Sequence, residues 1–161
     1  DYDGDRADSE IGACHVYRVD QSSEINKVAD DYYTPNGLAF SPDETMLYIA
    51  DTGITHDTDG PKHIRRHMVG ADGMLSGGEV FATCTEGLFD GFRLDTYGRI
   101  WSSAADGVHC LNSDGVLIGK VHIPELVGNV CFGGEKLNRL FIAGTTSLYS
   151  VFLNVNGVSP L

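Results

Sequence analysis

Gly37-Leu-Ala-Phe-Ser41, a Pro-Asp-Glu turn and Met46-Leu-Tyr-Ile-Ala50 form a pair of short β-patterned runs, and the chain repeats that pair twice more. Gly91-Phe-Arg-Leu94, an Asp-Thr-Tyr-Gly turn and Arg99-Ile-Trp-Ser-Ser103 are the second copy; Val130-Cys-Phe132, a Gly-Gly turn and Arg139-Leu-Phe-Ile-Ala143 are the third. Each pair is followed by a further β-like run: His63–Val69, Gly107–Leu111 and Ser147–Val151. Glu79–Thr83 and Leu117–Ile123, mixed polar and apolar, suit outer edge strands, where charged side chains discourage pairing with other chains. Repeating units of four strands with a period of about 40 to 50 residues describe propeller blades.

Working outward, Ala13–Val19 and Ile25–Val28 read as the outer two strands of a blade whose inner strands are absent, and Leu153–Leu161 offers no fourth strand to the last unit. The expected organisation is one all-β domain, residues 1–161, with a partial blade at 13–31, blades at 37–84 and 91–123, and a partial blade at 129–153. About three blades are half of a ring. An open half-ring leaves apolar sheet faces in water, so a missing N-terminal half, as a second chain or a lost segment, is the expected partner.

Composition agrees with this reading. Twenty Gly among 161 residues supply the backbone freedom that many tight turns require. A net charge of −12, with only 11 Lys and Arg, argues against nucleic acid, whose binding depends on clustered cations. The acidity reads as a solvated surface, with a cation-attracting field as the functional alternative. No apolar run approaches the roughly 18 residues of a membrane span, and Asp1-Tyr-Asp-Gly-Asp5 is unlike a signal peptide. Four Cys (Cys14, Cys84, Cys110, Cys131) lack metal or redox spacing and read as buried free thiols. A soluble protein is expected; its compartment stays open, with the cytoplasm favoured over periplasm or secretion.

In a propeller the first strand of each blade lies nearest the central channel, so residues just before it converge on the axis. Those residues are Asn36, Asp90 and Asn129. Their oxygens are hard donors suited to Ca²⁺, Mg²⁺ or Mn²⁺, and carboxylate-rich sites also take Zn²⁺. Asn-Gly and Asp-Gly equally serve as plain turn residues, and spacing alone does not separate the two uses.

Thr34-Pro-Asn-Gly-Leu-Ala-Phe-Ser-Pro-Asp43 with Leu47-Tyr-Ile-Ala-Asp-Thr52 resembles the hallmark segment of the senescence marker protein, regucalcin and gluconolactonase family. Phe89-Asp-Gly-Phe-Arg-Leu-Asp95 with Gly98-Arg-Ile-Trp101, and Asn129-Val-Cys-Phe-Gly-Gly134 with Leu140-Phe-Ile-Ala143, extend the resemblance in order along nearly the whole chain. The resemblance implies a six-bladed propeller holding one divalent cation, calcium first among the choices, with Asn36 and Asp90 as two of its ligands. The family's remaining ligands, a Glu and an Asn, belong to its N-terminal half. It further implies hydrolysis of a sugar-acid lactone such as gluconolactone by a cation-activated water, with Asp90 as base. A calcium- or small-molecule-binding propeller without turnover is one alternative, and a related esterase or phosphotriesterase-like hydrolase another.

His56, His63 and His67 with Asp51, Asp57 and Asp59 suggest a second cluster, but His63 and His67 fall in a strand rather than at zinc-like helical spacing. They read as surface or strand packing. His56, in its loop, is a candidate to reach the pocket, and Asp51 a candidate to buttress it. Tyr48 and Trp101 read as packing between blades. No phosphate-binding glycine loop and no Gly-x-Ser-x-Gly occurs.

Overall fold

Short runs of alternating apolar and polar residues, cut by turns built on Asp, Asn and Gly, fold into antiparallel meanders because each run is apolar enough on one face to need cover. The computed structural model describes residues 9–159; the acidic opening Asp1–Asp5 and the final Pro160–Leu161 lie outside them. A two-stranded sheet pairs β1 (Cys14–Val19) with β2 (Ile25–Tyr32). A four-stranded sheet follows in the order β3 (Pro35–Phe40), β4 (Met46–Asp51), β5 (His63–Val69), β6 (Leu75–Thr83). The next has β7 (Phe92–Leu94), β8 (Ile100–Ala104), β9 (Gly107–Leu111) and β10 (Leu117–His122), and the last has β11 (Val127–Gly133), β12 (Arg139–Gly144) and β13 (Leu148–Phe152). Sequential strands pair in order within each sheet, the arrangement of propeller blades.

The core lies between the sheets. Val16 and Tyr32 pack on Leu47 and Ile49; Ala50 and Ile64 of the second sheet pack on Phe92, Leu94 and Ile100 of the third; Val108 of the third packs on Val130, Phe132, Leu140 and Ile142 of the fourth. Trp101 reaches across to Phe132 edge-on, with ring centroids 6.3 Å apart, as expected for a residue between blades. Tyr48 stands in the cluster joining the second and third sheets and also meets Phe81 of its own sheet at 5.0 Å. Leu38 and Phe40 on β3, and Leu148 and Phe152 on β13, are exposed on sheet faces that no neighbouring sheet covers among the described residues.

Side-chain carboxylates make the turns. Asp95, with no exposed surface, accepts the backbone N–H groups of Tyr97 (2.9 Å) and Arg99 (3.1 Å), Arg99 Nε (2.8 Å) and Trp101 Nε1 (2.9 Å). A buried charge is tolerated only when so fully paired, and here the pairing fixes the β7–β8 hairpin and aims Trp101 at the next blade.

The expected histidine packing takes a specific form. His67 is buried, and its Nε2 lies 2.6 Å from the Tyr32 hydroxyl, which ties the two-stranded sheet to the second sheet. Burial depresses the imidazole's proton affinity, favouring the neutral ring. Of the four thiols expected inside, Cys84 and Cys110 are buried, but Cys14 is half-buried and Cys131 exposed. Cys131 departs because Val130 and Phe132, on the opposite face of β11, are the residues turned into the core.

Asp106, in the tight β8–β9 turn, is held by His109 Nε2 and Lys120 Nζ, each at 2.7 Å. Burial pushes its carboxyl up, but the hydrogen bonds from Lys120 and His109 outweigh that and hold it at about 2. A carboxyl depressed in the fold stabilises it above the unfolded value and loses that contribution as pH falls through the folded value. The gap in unfolding free energy between wild type and Asp106→Asn, from urea titrations, should therefore be constant above about pH 5 and narrow between about pH 4 and 2. A gap unchanged down to pH 2 would contradict the assignment.

Candidate functional site

The innermost strands are not regular at the rim. β3 pairs Leu38 with Ile49 and Pro35 with Asp51, so one residue too many is accommodated between them on β3. β11 does the same, pairing Val130 with Ile142, Asn129 with Ala143 and Val127 with Gly144. Such bulges release a residue from the ladder and re-aim its side chain. In the third sheet Phe92 faces Ser102, and the Ser103 N–H donates to the Gly91 carbonyl at 3.0 Å, which leaves Asp90 just above the ladder.

Counted from these pairings, Leu38, Phe92 and Val130 occupy one position of the repeat. Asn36 and Asp90 then share one place in the repeat, and the third member is Gly128, not Asn129; Asn129 stands where Gly37 and Gly91 stand in the other sheets. Asn36 and Asn129 also lie within their strands rather than before them. The aligned column of this chain is therefore Asn36, Asp90, Gly128.

The column is drawn together by close backbone approach. A Cβ on Gly37 would lie 2.0 Å from the Asp90 carbonyl oxygen, and one on Gly91 would lie 2.2 Å from Asn129 Oδ1. The Gly91 N–H donates to the Gly128 carbonyl at 3.0 Å, and a Cβ on Gly128 would be 3.9 Å from Asp90 Oδ2. Asp90 is thus wedged between Gly37 on one side and Gly128 on the other. Its backbone N–H donates to Oγ of the fully buried Ser103 at 3.1 Å. Asp90 and Asn129 line one cleft of about 500 Å³ between the third and fourth sheets.

Asn36 is exposed, and its Nδ2 donates to Thr52 Oγ1 at 3.4 Å. Asp51 does not reach the channel. It is buried, accepts the N–H groups of Tyr33 (2.9 Å) and Thr34 (2.8 Å), and so fixes the segment that leads into Asn36. Its other neighbour is a second cleft that it lines with His63. His56 ends the 3-10 turn Gly53–Thr55, is exposed, and lines neither cleft, because that turn projects it outward.

Among the described residues no three His, Cys, Asp or Glu converge as a metal cluster. One carboxylate and an amide are the hard oxygen donors that suit a divalent cation as part of a donor set, without thiol or imidazole to favour softer ions. Asn36 and Asp90 are donors of this kind, but Asn36 does not line the cleft that Asp90 shares with Asn129.

Residues 1–146 match the model of the SMP-30/Gluconolactonase/LRE-like region. The chain belongs to this family. Within it, 6-deoxy-6-sulfogluconolactonase of Pseudomonas putida is 33% identical over 137 residues, covering 81% of this chain and 44% of that protein. Gluconolactonase of Zymomonas mobilis is 29% identical over 146 residues, covering 84% and 39%. The solved structure of a gluconolactonase from Xanthomonas campestris superposes with a TM-score of 0.80 at 36% identity, covering 94% of this chain and 47% of that one. The chain spans about half the length of these SMP-30/gluconolactonase relatives or somewhat less, and its sheets are blades of their propeller.

Sequence reasoning missed the roles of Ser103, within β8, and Thr52, just past β4, whose hydroxyls meet the Asp90 N–H and the Asn36 amide, because the contacts of a hydroxyl are made only by the fold. The glycines were visible as turn residues, and only the packing gives them their second use. Gly37→Ala should displace Asp90 and destabilise the protein by about 1–3 kcal/mol, the usual cost of overpacking. Circular-dichroism melts against wild type check this, and an unchanged midpoint would contradict the wedge.

Proposed function

We propose that this chain supplies the Asn36 and Asp90 share of a lactone-opening site, with a sugar-acid lactone as substrate and further blades completing the ring. The observation that carries the reading is the equivalent place of Asn36 and Asp90, just before Leu38 and Phe92 in their repeats, in a chain whose named relatives include gluconolactonases. Calcium is the first choice of cation, with Zn²⁺, Mg²⁺ and Mn²⁺ as alternatives. Bound there, it would polarise the lactone carbonyl and make a water more acidic.

The residues of this chain do the rest. Asp90 accepts the proton of the attacking water at a carboxylate oxygen and returns it to the ring oxygen as the C–O bond breaks, leaving a hydroxy acid. Ser103, by accepting the Asp90 N–H, holds the backbone from which that carboxylate extends. Asn36 offers an amide oxygen as ligand, and Asp51 keeps the Tyr33–Thr34 segment below it in place.

The test uses the intact protein, stripped by chelator and supplied separately with Ca²⁺, Mg²⁺, Mn²⁺ or Zn²⁺, following acid release from glucono-δ-lactone above the spontaneous rate. Asp90→Ala should lower kcat by about 10²-fold or more. Asn36→Ala should mainly raise the cation concentration needed for half-activity, by about 10-fold, the scale of losing one supporting interaction at a metal. Wild-type turnover in Asp90→Ala would refute the assignment. Cation binding with no turnover on any lactone would favour a propeller that binds without catalysis.

A further inference from the structure

The cleft beside Asp90 has walls of one character. Leu88, Ala105, Leu126, Val127 and Ala143 line it, and among the described residues no Lys, Arg or His does. The polar side chains in it besides Asp90 are Asn129 and Thr145. Both are committed in part to backbone: Asn129 Oδ1 accepts the Val130 N–H at 2.8 Å, and the Thr145 hydroxyl donates to the Leu126 carbonyl at 3.2 Å. Lys120, on neighbouring β10, is paired with Asp106.

Leu126 is 61% exposed, and its backbone is held in place. The Thr145 N–H donates to its carbonyl at 3.1 Å, and Glu125 beside it accepts the Thr146 N–H (2.7 Å), the Thr146 hydroxyl (2.9 Å) and the Tyr149 hydroxyl (2.7 Å). The side chain is therefore presented at the cleft by a fixed segment. An apolar surface held rigidly in view of solvent gains most from an apolar ligand group, since no ordering has to occur on binding. A phosphate, sulfate or carboxylate placed there would lose its hydration against apolar walls, and among the described lining residues no Lys, Arg or His replaces it.

We infer that the cleft is a specificity subsite that selects an uncharged, carbon-faced exocyclic group on the lactone and rejects an anionic one, with Leu126 as a determinant. The inference rests on the proposed lactone opening. A cleft of about 500 Å³ is of the size of small-molecule sites and holds such a group with part of the ring.

Three δ-lactones that differ only at the exocyclic carbon test it on the intact protein: 6-deoxyglucono-, glucono- and 6-phosphogluconolactone. The 6-deoxy compound should have a kcat/KM at least equal to that of gluconolactone and about 100-fold above that of the phosphate. Leu126→Arg, at a site exposed enough to accept the change, should narrow the deoxy-to-phosphate ratio at least about tenfold. Equal turnover of phosphate and deoxy compounds, or a ratio unmoved by Leu126→Arg, would overturn the inference. Ligand-detected NMR with the three stable aldonate products reads the same preference without turnover. Hydrolysis of none of the lactones would thus refute the reaction, while the order of aldonate binding, deoxy above phosphate or not, would still decide the subsite.

Discussion

The rim depends on backbone approaching backbone where only hydrogen fits. Gly37 lies against the Asp90 carbonyl, Gly91 against the Asn129 side chain, and the Gly91 N–H binds the Gly128 carbonyl. These contacts set the distance between consecutive inner strands, and with it the distance between Asn36 and Asp90. A side chain at Gly37 would have to push the backbone of the next blade outward, and one at Gly91 would displace the Asn129 side chain. The apolar clusters between sheets hold the blades face to face, but the glycine contacts decide how near the axis their first residues come.

The strong acidity has a structural use that composition did not reveal. Asp20, Asp43 and Asp72 accept backbone N–H groups in their own hairpin turns, Asp95 organises the β7–β8 hairpin, Asp51 secures the approach to Asn36, and Glu125 clasps the β12–β13 turn. Asp106 is bound by Lys120 and His109. Each of these carboxylates accepts hydrogen bonds that short, sharply turning segments would otherwise leave to water. Asp90 differs in its setting: its backbone is anchored by Ser103 while its carboxylate stands at a cleft.

The blades were legible because first and second strands repeat as apolar pairs around turn residues, and periodicity reports which faces are buried. Asn36 and Asp90 were legible through their common place before those pairs. Asn129 is one residue off that column because Val130, from which the third repeat is counted, is the counterpart of Leu38 and Phe92 rather than of Gly37 and Gly91, and Gly128 takes the position instead. Ser103, Thr52 and the Leu126 wall were invisible for a different reason: their roles arise from neighbours brought close only by folding. His56 reads as reaching the pocket from its loop, and the turn Gly53–Thr55 leaves it outside both clefts, whereas Asp51 reads as a buttress and holds the segment that leads into Asn36.

In the proposed site Asn36 and Asp90 face one cation-binding point on the rim. Substoichiometric Mn²⁺ added to the intact protein broadens amide NMR signals within its reach. The account predicts broadening centred on Asn36, Asp90, Gly91 and Gly128, abolished by Asp90→Ala. Broadening centred instead on Asp57 and Asp59, or on the Asp51 cleft, and indifferent to that substitution, would contradict it.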